Sequence, residues 1–173
     1  MNPIATLHMA NGRKIVIELL PESAPNTVNS FIYTASRGYL DHHAIERIVP
    51  GNWVDVSYTA FGKKECRYLI PNEFELNPDV EPLDSHPGSV CMGGYGEAGL
   101  AGCEFFFPLR DCPDHKGIYP VFGRVLEGMD EVCRLEKVET VPVTDFPIEG
   151  VEVNRPVRPE IIERVELELY GAV

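Results

Sequence analysis

The clearest signal along the chain is alternation. From Lys14 to Leu20, Ile15, Ile17 and Leu19 fall on one side of an extended chain, with Lys14, Val16 and Glu18 on the other. A strand of that pattern packs one face on a core and leaves the other wetter. Ile4 to Met9 is also strand-compatible, and Asn11-Gly12 between the two is a turn signal, because both residues tolerate positive φ. The period then lengthens. Val28, Phe31, Ile32 and Ala35 follow the spacing of one buried helical stripe. Pro25 suits the first helical position, where its missing N–H costs nothing, and Gly38 is the expected stop.

Beyond the helix the pattern is mostly extended. Residues 44–58 read as a strand, a Pro50-Gly51 bend and a second short strand. Residues 59–87 are irregular and proline-bearing, with one strand expected near 66–70. Ser89 to Met92 and Cys103 to Leu109 read as strands around Gly93-Gly94-Tyr95-Gly96, and Val121 to Leu126 as another. Gly128 to Leu135 predicts a short helix. Ile161 to Leu169 alternates again and predicts a closing strand, its run from Glu160 to Glu168 read as a solvated face. The proline-bearing stretch 139–160 reads as an ordered surface connection. Many strands, few helices and no βαβ rhythm favour a closed antiparallel β structure, which removes exposed sheet edges.

Composition narrows the setting. The chain has 173 residues, suited to one domain over 1–173, with 44% hydrophobic content typical of globular chains. With 15 basic and 27 acidic residues the net charge is −12, which disfavours general nucleic-acid binding. No apolar run is long enough to predict a membrane span. The N-terminal residues 1–14 lack signal-peptide character, so the mature protein is expected to begin near Met1. Five cysteines without a CxxC pair predict inert, buried thiols and a cytoplasmic protein. Asp41-His42-His43 and Asp111-Cys112-Pro113-Asp114-His115 hold metal-ligand residue types, but neither has structural-zinc spacing, and no metal is expected. The glycine-rich 93–96 run lacks a phosphate-loop pattern, no GxSxG turn is present, and nothing in the spacing supports a carboxylate-pair glycosidase.

Several strings together resemble the cyclophilin family of peptidyl-prolyl cis–trans isomerases: IVIELLPESAPNTVNSFI (15–32), ERIVPG (46–51), HPGSVCMGG (86–94), EFFFPL (104–109) and VFGRVLEGMDEV (121–132). They stand in family order and the resemblance covers most of residues 3–169. It implies a mainly β fold, an eight-stranded antiparallel barrel closed at each end by a helix, with the active groove on its outer wall. It implies isomerisation of X–Pro bonds without a cofactor, assisting slow folding steps of proline-containing peptides or unfolded segments. Arg47 matches the family's catalytic arginine, Phe106 the aromatic floor of the proline pocket, and Met92 a residue lining the same groove. A monomer is the default expectation.

Other groove positions depart from the family pattern. The residue before Arg47 is Glu46 where the family has His. Asn52-Trp53 replaces a Phe-Met pair, and Trp53 could supply the lost apolar wall. Asp55 replaces the glutamine that steadies the arginine, Val56-Ser57-Tyr58 replace a Gly-Gly-Asp run, and Glu104 replaces a glutamine. Gly93-Gly94 stand for an Ala-Asn pair that receives substrate backbone, Asp114 and His115 for an aromatic and a leucine, and Tyr119 for a histidine. The changes add acid, so Arg47 is expected to pair with Asp55 or Glu104. The altered groove sets a second expectation beside catalysis, a module that binds proline-containing peptides with weak or no turnover. A third is an unrelated ligand-binding barrel.

Overall fold

The computed structural model describes residues 1–56 and 63–170, so the expectations for Ser57 and Tyr58 lie outside the described residues. Twelve strands are present in this range: β1 (Ile4–Met9), β2 (Lys14–Leu19), β3 (His43–Ala44), β4 (Arg47–Val49), β5 (Trp53–Asp55), β6 (Leu69–Ile70), β7 (Ser89–Gly94), β8 (Leu100–Pro108), β9 (Val121–Glu127), β10 (Thr140–Pro142), β11 (Asn154–Pro156) and β12 (Ile161–Glu168). The helices are α1 (Pro25–Ser36), a single turn α2 (Glu73–Leu76), and α3 (Met129–Glu136).

The β1–β2 hairpin is joined by one more turn residue than the Asn11-Gly12 signal predicts. Gly12 N–H bonds to Met9 O and Met9 N–H to Arg13 O, each at 2.9 Å, and Gly12 carries φ 85°. This is a turn over Ala10 and Asn11 followed by a left-handed glycine, the usual three-residue alternative to the two-residue hairpin.

Ten strands make one antiparallel sheet, in the order β3-β12-β1-β2-β9-β7-β8-β5-β4 with β6 beside β8, while β10 and β11 pair separately. The path begins at β3 and ends at β4, which are neighbours in the chain, joined by only Ile45 and Glu46. The sheet must therefore curl until its two ends meet at that link. Among the described residues no ladder joins β3 to β4. The architecture is thus a curled, mainly β sheet with few helices. Among the described residues the sheet has ten strands where eight were expected, and no ladder there closes it.

The concave side holds the core. Leu7, Ile15, Ile17, Ile48, Val54, Phe105, Phe107 and Phe122 meet Phe31 from α1 and Val132 and Leu135 from α3. Phe31 meets the Phe105 ring edge-on, with centroids 5.3 Å apart, an arrangement favoured by the ring quadrupoles. The helical stripe is carried chiefly by Val28, Phe31 and Ala35, with Ile32 at its edge, and Gly38 (φ 70°) follows the helix end as its sequence position implies.

The start of α1 is finished by a residue far along the chain. The fully buried Glu73 carboxylate accepts from Thr27 N–H at 2.8 Å, Thr27 Oγ1–H at 2.7 Å, Asn26 N–H at 3.3 Å and Asn77 Nδ2–H at 2.7 Å. The first N–H groups of a helix have no intrahelical partner, and an anion there also meets the positive end of the helix dipole. The irregular middle of the chain thus has a structural task.

Candidate active site

Ladder register builds the site. Arg47 on β4 stands opposite Asp55 on β5, Asp55 opposite Phe106 on β8, and Phe106 opposite Cys91 on β7. Directly opposed residues share a face of a pleated sheet. This row runs across four strands on the convex side. The neighbouring positions Ile48, Val54, Phe105, Phe107 and Met92 point inward and belong to the core.

That parity corrects the placement of Met92. It sits opposite Phe105, is fully buried in the core, and is absent from the walls of the cleft. The convex residue on β7 is Cys91, which packs with Phe106 and Val121 beneath Trp53 and Tyr119.

A cleft of about 300 Å³ opens over the row, lined by Arg47, Trp53, Asp55, Gly93, Gly94, Tyr95, Glu104, Phe106, His115, Tyr119, Ile148 and Val151. It gathers Arg47, Trp53, Asp55, Gly93, Gly94, Glu104, Phe106, His115 and Tyr119 from the expected groove, and leaves out Met92. The volume lies at the lower end for a small-ligand site, enough for a few residues of peptide.

Arg47 is held on two sides. Its Nη1 donates to Asp55 Oδ2 at 3.1 Å and its Nε to the Glu152 carbonyl at 2.7 Å. Of the two carboxylates expected near it, Asp55 makes this contact, and both partners are nearly buried, with side chains 11% and 9% exposed. The Arg47 guanidinium carbon lies 5.5 Å from the Trp53 ring centroid, within reach of the indole's negative face. Glu46, immediately before Arg47, reaches Arg155 at 3.8 Å.

An aromatic floor adjoins the cation. Phe106 has Trp53, His115 and Tyr119 around it, with ring centroids 6.1, 5.8 and 5.9 Å away. His115 and Tyr119 are closer still, at 4.7 Å. Burial pushes the His115 pKa below the ordinary imidazole value, against the opposing pull of Asp114. The same burial favours the uncharged ring. Trp53 Nε1 and His115 Nδ1 are both buried without a hydrogen-bond partner among the described residues.

The far end of the cleft is acidic. Glu104 lies two residues along β8 from Phe106, on the same face, and accepts from Tyr95 O–H at 2.8 Å through each of its oxygens. Gly93 lets β7 pass close by: a Cβ there would lie 2.9 Å from the Glu104 carbonyl oxygen. A side chain at that position would force the strands apart.

The sequence reading placed His115 at a groove position but left Tyr95, Ile148 and Val151 out. The last two come from residues 143–153, expected to be plain surface connection. This strap leaves the β10–β11 ladder, crosses the mouth of the cleft and is fixed by Val143 N–H to Val153 O at 2.8 Å and Asn154 Nδ2–H to Ile48 O at 3.0 Å. Asp114 is not among the lining residues. Among the described residues no three His, Cys, Asp or Glu side chains form a metal-binding group.

Residues 4–166 match the family described as cyclophilin type peptidyl-prolyl cis-trans isomerase/CLD. Among named relatives, peptidyl-prolyl cis-trans isomerase-like 1 of Gibberella zeae is 30% identical over 154 residues, covering 88% of this chain and 91% of the relative. The Mus musculus peptidylprolyl isomerase domain and WD repeat-containing protein 1 is also 30% identical, over 86% of this chain, which spans only 23% of that relative's length. Peptidyl-prolyl cis-trans isomerase CYP18-2 of Arabidopsis thaliana is 31% identical over 88% of this chain and 92% of its own. In three dimensions, a cyclophilin type peptidyl-prolyl cis-trans isomerase of Cryptosporidium parvum superposes with a TM-score of 0.73 at 18% identity, covering 98% of this chain and 99% of that one.

Proposed function

The chain belongs to the cyclophilin-type peptidyl-prolyl cis-trans isomerase family, and from that membership we propose that it catalyses rotation about X–Pro peptide bonds, with Arg47 as the electrostatic catalyst. The supporting observation is the row of Arg47, Asp55 and Phe106, which sets a braced guanidinium beside an aromatic floor in one cleft.

The chemistry asks for little more. The barrier of ~20 kcal/mol arises from the partial double bond of the amide. Neither nucleophile nor metal is needed to lower it. The site has to bind the twisted amide better than the planar forms. Twisting localises a lone pair on the prolyl nitrogen, and a fixed donor beside that nitrogen stabilises the twisted state preferentially. A guanidinium remains charged at any working pH and presents several donors in a fixed plane. Asp55 and the Glu152 carbonyl hold that plane, so little reorganisation is left for the reaction. Phe106, with Trp53 and Tyr119 around it, grips the proline ring while the carbonyl end rotates. The planar amide is the more polar form, so withdrawing it from water also favours twisting.

The substrates are proline-containing peptides or unfolded segments, and the protein acts as a cytoplasmic monomer. Exchange NMR on several X–Pro peptides, with wild type and Arg47→Ala, tests the reading. Accelerated cis–trans exchange that is lost in the variant supports catalysis. Peptide shift perturbations without faster exchange would instead make the protein a binding module.

A further inference from the structure

Cys66 and Cys103 form a small buried cluster of their own, apart from the main core and flanked by Tyr39. Cys66 ends the short turn Lys64–Cys66, and Cys103 lies on β8 next to Glu104. The two side chains pack against each other, and Cys103 Sγ–H donates to the Cys66 carbonyl at 3.3 Å. Cys66 lines a second cleft of about 380 Å³, together with Arg67, Tyr68, Leu69, Tyr95 and Glu104. Tyr95 and Glu104 line the first cleft too, so the thiol pair sits behind a wall common to both.

Access divides the roles of the two sulfurs, since Cys66 borders the second cleft and Cys103 does not. The Cys103 hydrogen bond draws the Cys66 thiol below its ordinary pKa against the opposing effect of burial, and the nearby Lys63 charge acts in the same direction as the bond. Lys63 is itself fixed, its Nζ donating to the Tyr39 and Asp41 carbonyls at 2.9 and 2.6 Å. The bond to Cys66 and burial both push Cys103 up. By contrast Cys91 is buried against Ser85, and burial pushes its thiol up to about 12. Thiolate character and access select the cysteine that oxidants reach first.

We propose that Cys66 and Cys103 are a peroxide-responsive dithiol pair, Cys66 attacking and Cys103 resolving, which closes to a disulfide along the wall shared by the two clefts. In the first step the Cys66 thiolate attacks one oxygen of hydrogen peroxide. The O–O bond breaks, hydroxide leaves, and Cys66 becomes a sulfenic acid, oxidised by two electrons as the peroxide is reduced. In the second, the Cys103 sulfur attacks the Cys66 sulfur, the S–O bond breaks, and the departing hydroxide leaves as water with the Cys103 proton. Two thiols and one peroxide give one disulfide and two waters. A thiol reductant restores the pair.

The test reads mass, so its outcome is separate from that of the isomerase reading. The full chain carrying Cys133→Ser, which removes the exposed thiol, is titrated with hydrogen peroxide and mapped without reduction. The expected product has lost two hydrogens, carries a linked Cys66–Cys103 peptide, leaves Cys91 and Cys112 as thiols, and reverts with dithiothreitol. In the same background, Cys103→Ser leaves a Cys66 sulfenic acid that dimedone traps, and Lys63→Met, which keeps both thiols, slows bridge formation severalfold. Oxidation of Cys91 or Cys112 ahead of the pair, a Cys66 sulfinic acid in place of the bridge, or four intact thiols under peroxide in the folded protein would each overturn the proposal.

Discussion

Arg47 and Asp55 are bound to each other twice: as register partners in the β4–β5 ladder, and again through a 3.1 Å contact between their side chains. The backbone pairing fixes the distance from which the side chains meet. Asp55 therefore acts as a positioning residue for the guanidinium. Arg47→Ala is expected to lower kcat/KM on X–Pro peptides by about 100-fold, the usual scale for removing a preorganised electrostatic donor. Asp55→Asn keeps a hydrogen-bond acceptor and should cost less, chiefly in kcat, whereas Asp55→Ala should approach the arginine variant. Equal loss in KM and none in kcat for Asp55→Ala would assign the carboxylate to substrate binding instead.

Trp53 is the only tryptophan and it walls the cleft. Its emission is expected to shift and change intensity on titration with a proline peptide, and the change should vanish in Phe106→Ala if the ring is displaced from its neighbour. A flat titration with a peptide that NMR shows to bind would place the peptide elsewhere.

Two carboxylates, Asp55 and Glu104, lie in the cleft of a chain with net charge −12. Peptides with Lys or Arg beside the proline should turn over with higher kcat/KM than acidic ones, and salt should reduce the difference, since opposite charges steer association less as they are screened. Equal rates for both peptide types at low salt would count against this.

The site was legible through the family resemblance, and periodicity decided only which faces could be told apart. Phe106 was assigned through the resemblance of EFFFPL to the family pattern, since alternation alone required only that one of Phe105, Phe106 and Phe107 face the core. Met92 could not be placed on either face, because β7 is buried along both faces from Ser89 to Met92 and the string SVCM carries no alternation to separate Cys91 from Met92. Arg47, Trp53 and Asp55 were reached by matching ERIVPG and the residues after it to the family pattern, and the Pro50-Gly51 bend places them on one short hairpin. Tyr95, Ile148 and Val151 sit on irregular chain, where position depends on long-range packing that no local period records. The extra strands had a similar cause: two- and three-residue pairings such as β3 and β6 are too short to show any pattern.

His43 offers a handle on acid stability. It is buried, its Nε2 lacks a partner among the described residues, and burial, aided by the Lys63 charge, lowers its pKa from 6.5 to about 4 despite a hydrogen bond to the Val56 backbone. The unfolded chain takes up this proton near 6.5 and the folded one only near 4. Between those values the unfolded state binds more protons, so stability is full above the upper one and falls as pH drops toward the lower. The loss is on the order of 3 kcal/mol. Urea unfolding across this range should show that slope, and His43→Gln should flatten it.

Glu73→Ala should destabilise the protein by about 2–4 kcal/mol, because it leaves buried donors at Asn26, Thr27 and Asn77 unpaired. Chemical denaturation gives the figure, and hydrogen exchange at Asn26 and Thr27 should speed up more than in the middle of α1. Uniform acceleration along the helix would mean that the carboxylate does not act as its cap.

The strap at 143–153 separates two demands that usually conflict. Ile148 and Val151 shape the mouth of the cleft, yet the segment hangs from the small β10–β11 pair and contributes no strand to the ten-stranded sheet. Its exposed middle can change with little penalty to the sheet, whereas its end is tied to the site, through the Glu152 carbonyl that braces Arg47 and the buried Val153. One segment thus joins a variable lip at Ile148 and Val151 to a fixed anchor at Glu152, so an alteration of the lip would reach the guanidinium only through that anchor.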